Sequence, residues 1–165
     1  MNRPTFFKIV IAIICFILLP QVSYCQSEKM FPTKYTTIYY NQEKDVDDFI
    51  WHLGGQKLEF TNDTAVASNR VDRIVDRVQN ILDIRPDNFK ILIYLHRGIL
   101  DSNRVAYYDN KTRAIHVSID DASDGVLAHE IAHAVIHQGF GVMLPSKMQE
   151  ILTQYVDKYL WNDYY

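Results

Sequence analysis

The stretch Leu127–His137, LAHEIAHAVIH, carries three of the six histidines in the chain, with Glu130 directly beside the first of them. His129 and His133 are four residues apart. On a helix, that spacing sets both side chains on one face, a single turn from each other. Two imidazole nitrogens so placed can reach one Zn²⁺ at about 2.0–2.1 Å. Glu130 neighbours the first imidazole and can touch a water on such an ion without binding the ion itself. The pattern is H-E-x-x-H. The competing account is a core helix with satisfied polar residues. It would have to bury two histidines and a glutamate near one another with nothing to offset their desolvation.

A catalytic zinc needs a third protein ligand and one open position. His137 lies one further turn along, but a straight helix spreads His129, His133 and His137 over about 12 Å at 1.5 Å per residue. His137 therefore belongs beside the site or on the surface. The metzincin continuation would need glycine at position 136 and histidine at position 139, where this chain has Ile136 and Gly139. A cysteine ligand is also excluded, because Cys15 and Cys25 both lie in an N-terminal stretch with the features of an export signal. The remaining candidate is Glu150, in LPSKMQEILTQYVDKYL, on the flank of the last helix that also carries Gln154, Asp157 and Trp161. A glycine-bounded loop lets that helix fold back and bring Glu150 opposite the two histidines.

These side chains need a scaffold, and 165 residues suffice for one domain with a hydrophobic core. A hydrophobic content of 48% with 22% charged residues is that of a folded protein. In the N-terminal stretch, Arg3 and Lys8 precede or flank an unbroken apolar run, Ile9–Leu19, too short for a comfortable membrane span. It has the length of a signal-peptide core, with Ser23 and Cys25 suited to a cleavage site. The expected organisation is a signal peptide over 1–25 and a single domain over 26–165, exported to the periplasm or the medium. VSYC also has the outline of a lipoprotein box that would acylate Cys25, although Tyr24 stands where such boxes carry a small residue. The whole chain has 17 basic and 20 acidic residues, and 1–25 takes two bases and no acid with it, leaving a mature net charge of −5. Such a chain is a poor partner for nucleic acid. No span remains in the mature chain.

Tyr35–Tyr40, YTTIYY, predicts a strand, and KDVDDFIWHLGG a short helix stopped at Gly54 and Gly55. From Val71, apolar residues at Ile74, Val75, Val78, Ile81 and Leu82 predict a helix closed by Pro86. Phe89–Leu95 is apolar on both faces apart from Lys90, as a central strand would be. A hairpin follows, turning at Asp109–Thr112. Its second arm, Arg113–Ile119, alternates Ile115, Val117 and Ile119 with His116 and Ser118, which predicts an edge strand with one open face. Two helices end the chain. The first starts after Asp121–Asp124 and ends at Gly139 or Gly141. The second opens at Pro145–Ser146 and buries Met148, Ile151, Leu152, Tyr155, Val156, Tyr159 and Leu160.

LAHEIAHAV followed by LPSKMQEILTQY resembles the gluzincins, zinc peptidases with a glutamate as third ligand, and especially the small peptidase MA-like domains. Their second element runs E-G-L-A-x-Y. Here Glu150, Leu152 and Tyr155 match, while Ile151 replaces the glycine and Thr153 the alanine. The resemblance implies a small α+β zincin-like domain with a mixed sheet, an edge strand over the cleft, an HExxH helix and a C-terminal helix bearing a ligand. Carried over, it makes His129, His133 and Glu150 the Zn²⁺ ligands and Glu130 the catalytic base.

In a metallopeptidase of this kind, zinc acidifies water and polarises the peptide carbonyl. Glu130 takes the proton and passes it to the leaving amine. The open side of Arg113–Ile119 would hold a peptide or protein substrate by strand addition. For the oxyanion donor, Tyr107, Tyr108, Tyr155, Tyr159, Tyr164 and Tyr165 are all candidates, and packing is the simpler role of each. Two rival functions use the same residues: an exported zinc-binding interaction module without turnover, and metal-assisted hydrolysis of something other than peptide. Expressed in a bacterium with its own N-terminus, the protein should be exported and shortened near Cys25, as read by intact-mass spectrometry. A diacylglyceryl adduct on Cys25 would show the lipoprotein, and an intact Met1 would sink both forms of processing.

Overall fold

A computed structural model of the chain describes residues 28–54 and 64–160. The proposed signal sequence with Cys25, and Gly55, Trp161, Tyr164 and Tyr165, lie outside the described residues. The elements run β1 (Lys29–Pro32), β2 (Thr36–Tyr40), α1 (Glu43–His52), α2 (Thr64–Leu82), β3 (Ile91–His96), β4 (Ala106–Asp109), β5 (Ala114–Ser118), α3 (Asp124–Phe140) and α4 (Ser146–Tyr159), with 3₁₀ turns at Asp101–Asn103 and Ile119–Asp121. The architecture is α+β, a five-stranded mixed sheet with four helices. No described helix is long and apolar enough to cross a membrane.

The sheet order is β1-β2-β3-β5-β4. β2, β3 and β5 are parallel to one another, and the two outer strands run antiparallel to their neighbours. Because strand side chains alternate, one face carries Ile38, Ile91, Ile93, Leu95, Ile115 and Val117, all buried. They form one core with Val71, Ile74, Val75 and Val78 of α2 and with Leu127, Ile131 and Val135 of α3. β1 was not foreseen, but β2 pairs with β3 through Ile38 opposite Ile93, so this early segment is part of the sheet. Val46, Phe49 and Leu53 of α1 and its C-terminus are likewise buried. Gly54, at φ +70°, ends that helix in the left-handed region that glycine tolerates.

Two expectations about the sheet need correction. The edge strand is β4, not Arg113–Ile119, because β5 inserts between β3 and β4 and is hydrogen-bonded on both sides. The alternation that pointed to an open face has another cause. Ser118 is fully buried, and its hydroxyl bonds Asp121 in the following turn at 3.5 Å. His116 is half-buried between two tyrosine rings, Tyr94 at 5.0 Å and Tyr107 at 4.8 Å. Nor is β3 buried on both faces, since Leu92, Tyr94 and His96 are only half-covered. Tyr39 stacks on Tyr94 at 4.7 Å, so a ladder of four rings crosses four strands on this second face. Cross-strand ring pairs of this kind stabilise a face that helices leave uncovered.

α3 starts where the Ser123 hydroxyl accepts the N–H of Val126 at 3.2 Å, and it stops at Gly141 with φ +64°. α4 opens after Pro145, as expected. It does not bury the whole apolar set. Thr153, Val156 and Leu160 are buried, while Met148, Ile151 and Tyr155 form an exposed stripe. The periodicity gave the helix but set its inward face too wide. Phe49→Ala should lower unfolding free energy by about 3–5 kcal/mol, since it empties a fully enclosed site. Urea denaturation checks this, and a loss below about 1 kcal/mol would show that α1 is not part of the core.

Candidate metal centre

α3 presents His129 and His133 on its partly exposed side, and α4 folds back to bring Glu150 to them. Glu150 Oε1 lies 3.4 Å from His133 Nε2, and Oε2 lies 3.8 Å from His129 Nε2. The three donor atoms all fall within 4.8 Å of one another. A tetrahedral ion with ligands at about 2.0–2.2 Å spaces them about 3.4 Å apart. The donor set, two imidazoles and one carboxylate, and its spacing therefore fit a divalent cation with a position left open. Burial pushes the His133 imidazole below its ordinary pKa, with neighbouring His129 adding to the effect. That favours the neutral ring that a metal requires.

The two substitutions in the second element do not disturb this packing. Ile151 points away from the helix pair, 58% exposed. Thr153 is fully buried, and its hydroxyl donates to the Glu150 carbonyl at 3.0 Å, so α4 absorbs its polar group internally.

Glu130 is half-buried beside the triad and is not one of its three members. Burial raises its carboxyl above the usual carboxylate range, opposed by His129, the Tyr108 backbone N–H and Arg104. A carboxylate poised upward in this way suits proton transfer. The Tyr108 N–H belongs to β4, so the edge strand runs beside this group along the cleft.

His137 is not among the three converging donors. Its Nδ1 lies 3.0 Å from the Tyr108 hydroxyl, one turn beyond His133, on the wall of the same cleft. Of the six tyrosines, Tyr107 and Tyr108 line the cleft, and Tyr155 is exposed on α4 away from it. Asp157 went unrecognised as part of the site. Its Oδ2 accepts the Nδ1–H of His129 at 3.0 Å, leaving Nε2 for a metal. Such a carboxylate fixes the tautomer and ring orientation of a ligating histidine. The available signal was its spacing, seven residues and thus two turns after Glu150 on the same helix flank.

The triad opens into a cleft of about 430 Å³ along β4, walled by His137, Met143 and Gln149. A second, more apolar hollow continues past His129 and Glu130 to Val126 and Leu160. Comparison of the chain with family models, with curated proteins and with solved structures gives no match.

Two substitutions test the centre. Glu150→Ala should abolish stoichiometric zinc binding while the circular dichroism spectrum is kept, since Glu150 is exposed. Asp157→Asn should weaken zinc about 10- to 100-fold by the same chelator competition, because it loosens a ligand without removing one. Full zinc retention in Glu150→Ala would transfer the third position to another residue.

Proposed function

We propose that this chain is an exported zinc metallopeptidase, a small zincin-like domain of the gluzincin kind that hydrolyses peptide bonds. The carrying observation is the convergence of His129, His133 and Glu150 next to a half-buried Glu130 that is not among them. When bound, the cation supplies acidified water and a polarised carbonyl. Everything else falls to residues of the chain. His129, oriented by Asp157, His133 and Glu150 hold the ion. Glu130, beside the Tyr108 N–H, accepts a proton from the water and returns it to the departing amine.

Substrate binding is assigned to β4. As the outer strand it has one side paired to β5 and the other facing the cleft, where an extended peptide can add as a further strand. That alignment would carry a peptide bond past the triad and Glu130, with residues on either side reaching the polar and apolar hollows. Export rests on the N-terminal sequence, with its basic start and apolar run.

Glu130→Gln separates this reading from a zinc-binding module without turnover. The variant should keep one zinc per chain, yet hydrolyse a generic fluorogenic peptide at least about 100-fold more slowly. Equal rates in the two proteins, or no hydrolysis by either, would assign the scaffold to binding.

A further inference from the structure

The cleft is rich in acid. Asp109, Glu130, Glu150 and Asp157 line its two halves, against a single guanidinium, that of Arg104. Each acid already has a partner within the fold. Asp109 accepts the Lys111 N–H at 2.9 Å and the Thr112 hydroxyl at 2.8 Å, closing the β4–β5 turn. Asp157 accepts from His129, Glu150 sits against both histidines, and Glu130 is half-buried beside His129. Arg104 differs. Among the described residues, no hydrogen bond or ion pair holds its guanidinium, which lies over the Tyr107 ring at 5.7 Å from the centroid.

Its position is nevertheless built. A β-bridge joins Leu100 to Arg104 across the turn Asp101–Asn103, whose last residue takes φ +56°. The next carbonyl, of Val105, accepts the Ser118 N–H at 2.8 Å. The backbone under Arg104 is thus pinned to the sheet, and the aromatic face restricts where the head can lie. Arg104 lines both hollows, as do Ala106, His129 and Glu130, so it stands next to the reacting groups and not at a remote rim. A guanidinium over an aromatic ring, with no hydrogen bond to the fold among the described residues, is matched by a carboxylate taken in two parallel hydrogen bonds.

We infer that Arg104 selects substrates carrying a carboxylate close to the scissile bond, either a free C-terminus or an acidic side chain. This rests on the peptidase reading and names its substrate class. The neighbouring acids sharpen the choice, because Asp109 and Asp157 repel a carboxylate that lies near them whereas Arg104 attracts it. Arg104 is a specificity residue and exchanges no proton itself; because its charge also acts on Glu130, the readout is the ratio between pools and not the absolute rate.

The test uses acetylated hexapeptide pools of Gly, Ala, Ser, Leu and Phe in three forms: C-terminal amide, C-terminal free acid, and amide with one Glu. Retention on immobilised zinc-loaded Glu130→Gln protein and cleavage by the wild type are both read by mass spectrometry, with zinc content measured in the same samples. One of the acid-bearing pools should be favoured over the neutral pool by about tenfold or more, which also identifies the source of the carboxylate. Arg104→Gln, in either background, should reduce that preference to below about threefold, with partial recovery in Arg104→Lys, a point charge without the fork. No preference in the parent proteins, or one unchanged in Arg104→Gln, overturns the inference while neutral-peptide cleavage leaves the peptidase reading standing. Bound zinc with neither retention nor cleavage of any pool overturns both, and absence of zinc removes the metal centre itself.

Discussion

Three donors from two helices can converge only if α3 and α4 hold their relative placement to within a few tenths of an ångström. That contact underlies everything proposed for the molecule. Val156 and Leu160 are buried on one side of α4, while Ala128 and Ala132, beside the two histidines, are fully buried on α3. The far end of α4 is held from a third element. Arg77 of α2 donates to the Leu160 and Tyr159 carbonyls at 3.1 and 3.2 Å, satisfying groups that a helix terminus leaves open. α2 thereby supports the candidate metal triad without contributing a member to it. Its stripe of valines and isoleucine supports α3 in the core, and its arginine steadies the helix that carries Glu150 and Asp157.

Much of the site was legible because its chemistry is local. HEIAH places two imidazoles and a carboxylate by helical geometry alone, and the Gly141–Pro145 reversal makes a return to Glu150 possible. Asp157 was harder to see, because an acid on an exposed helix flank has many ordinary uses until a histidine is found 3.0 Å away. Arg104 was not legible at all, since its significance lies in which neighbours lack a claim on it.

The sheet shows the same division. β2 and β3 declared themselves by their apolar runs, whereas the identity of the edge strand depended on pairing order, which periodicity does not encode. Residues at 116 and 118 alternate with the core positions as an open face requires. The cover of His116 comes instead from tyrosine rings on the two neighbouring strands, which pairing order sets, and Ser118 bonds into the turn that follows it. The outer face of α4 misled for the opposite reason. Met148, Ile151 and Tyr155 have core-like character and remain exposed because the inward side of the helix is the one that carries Thr153, Val156 and Leu160.

The sheet has two margins, and they are defended unequally. β1 carries Lys29, paired with Glu43, and terminates at Pro32, which has no N–H to offer a newcomer. β4, Ala-Tyr-Tyr-Asp, has neither a lysine nor a proline, as the strand addition proposed for it requires. Its protection comes from brevity, four residues, and from the acids standing around the metal position. Those acids repel a second acidic copy, and salt screens exposed charges of this kind. High ionic strength is therefore the condition under which this protein should begin to stick to itself, through the margin that carries no lysine or proline.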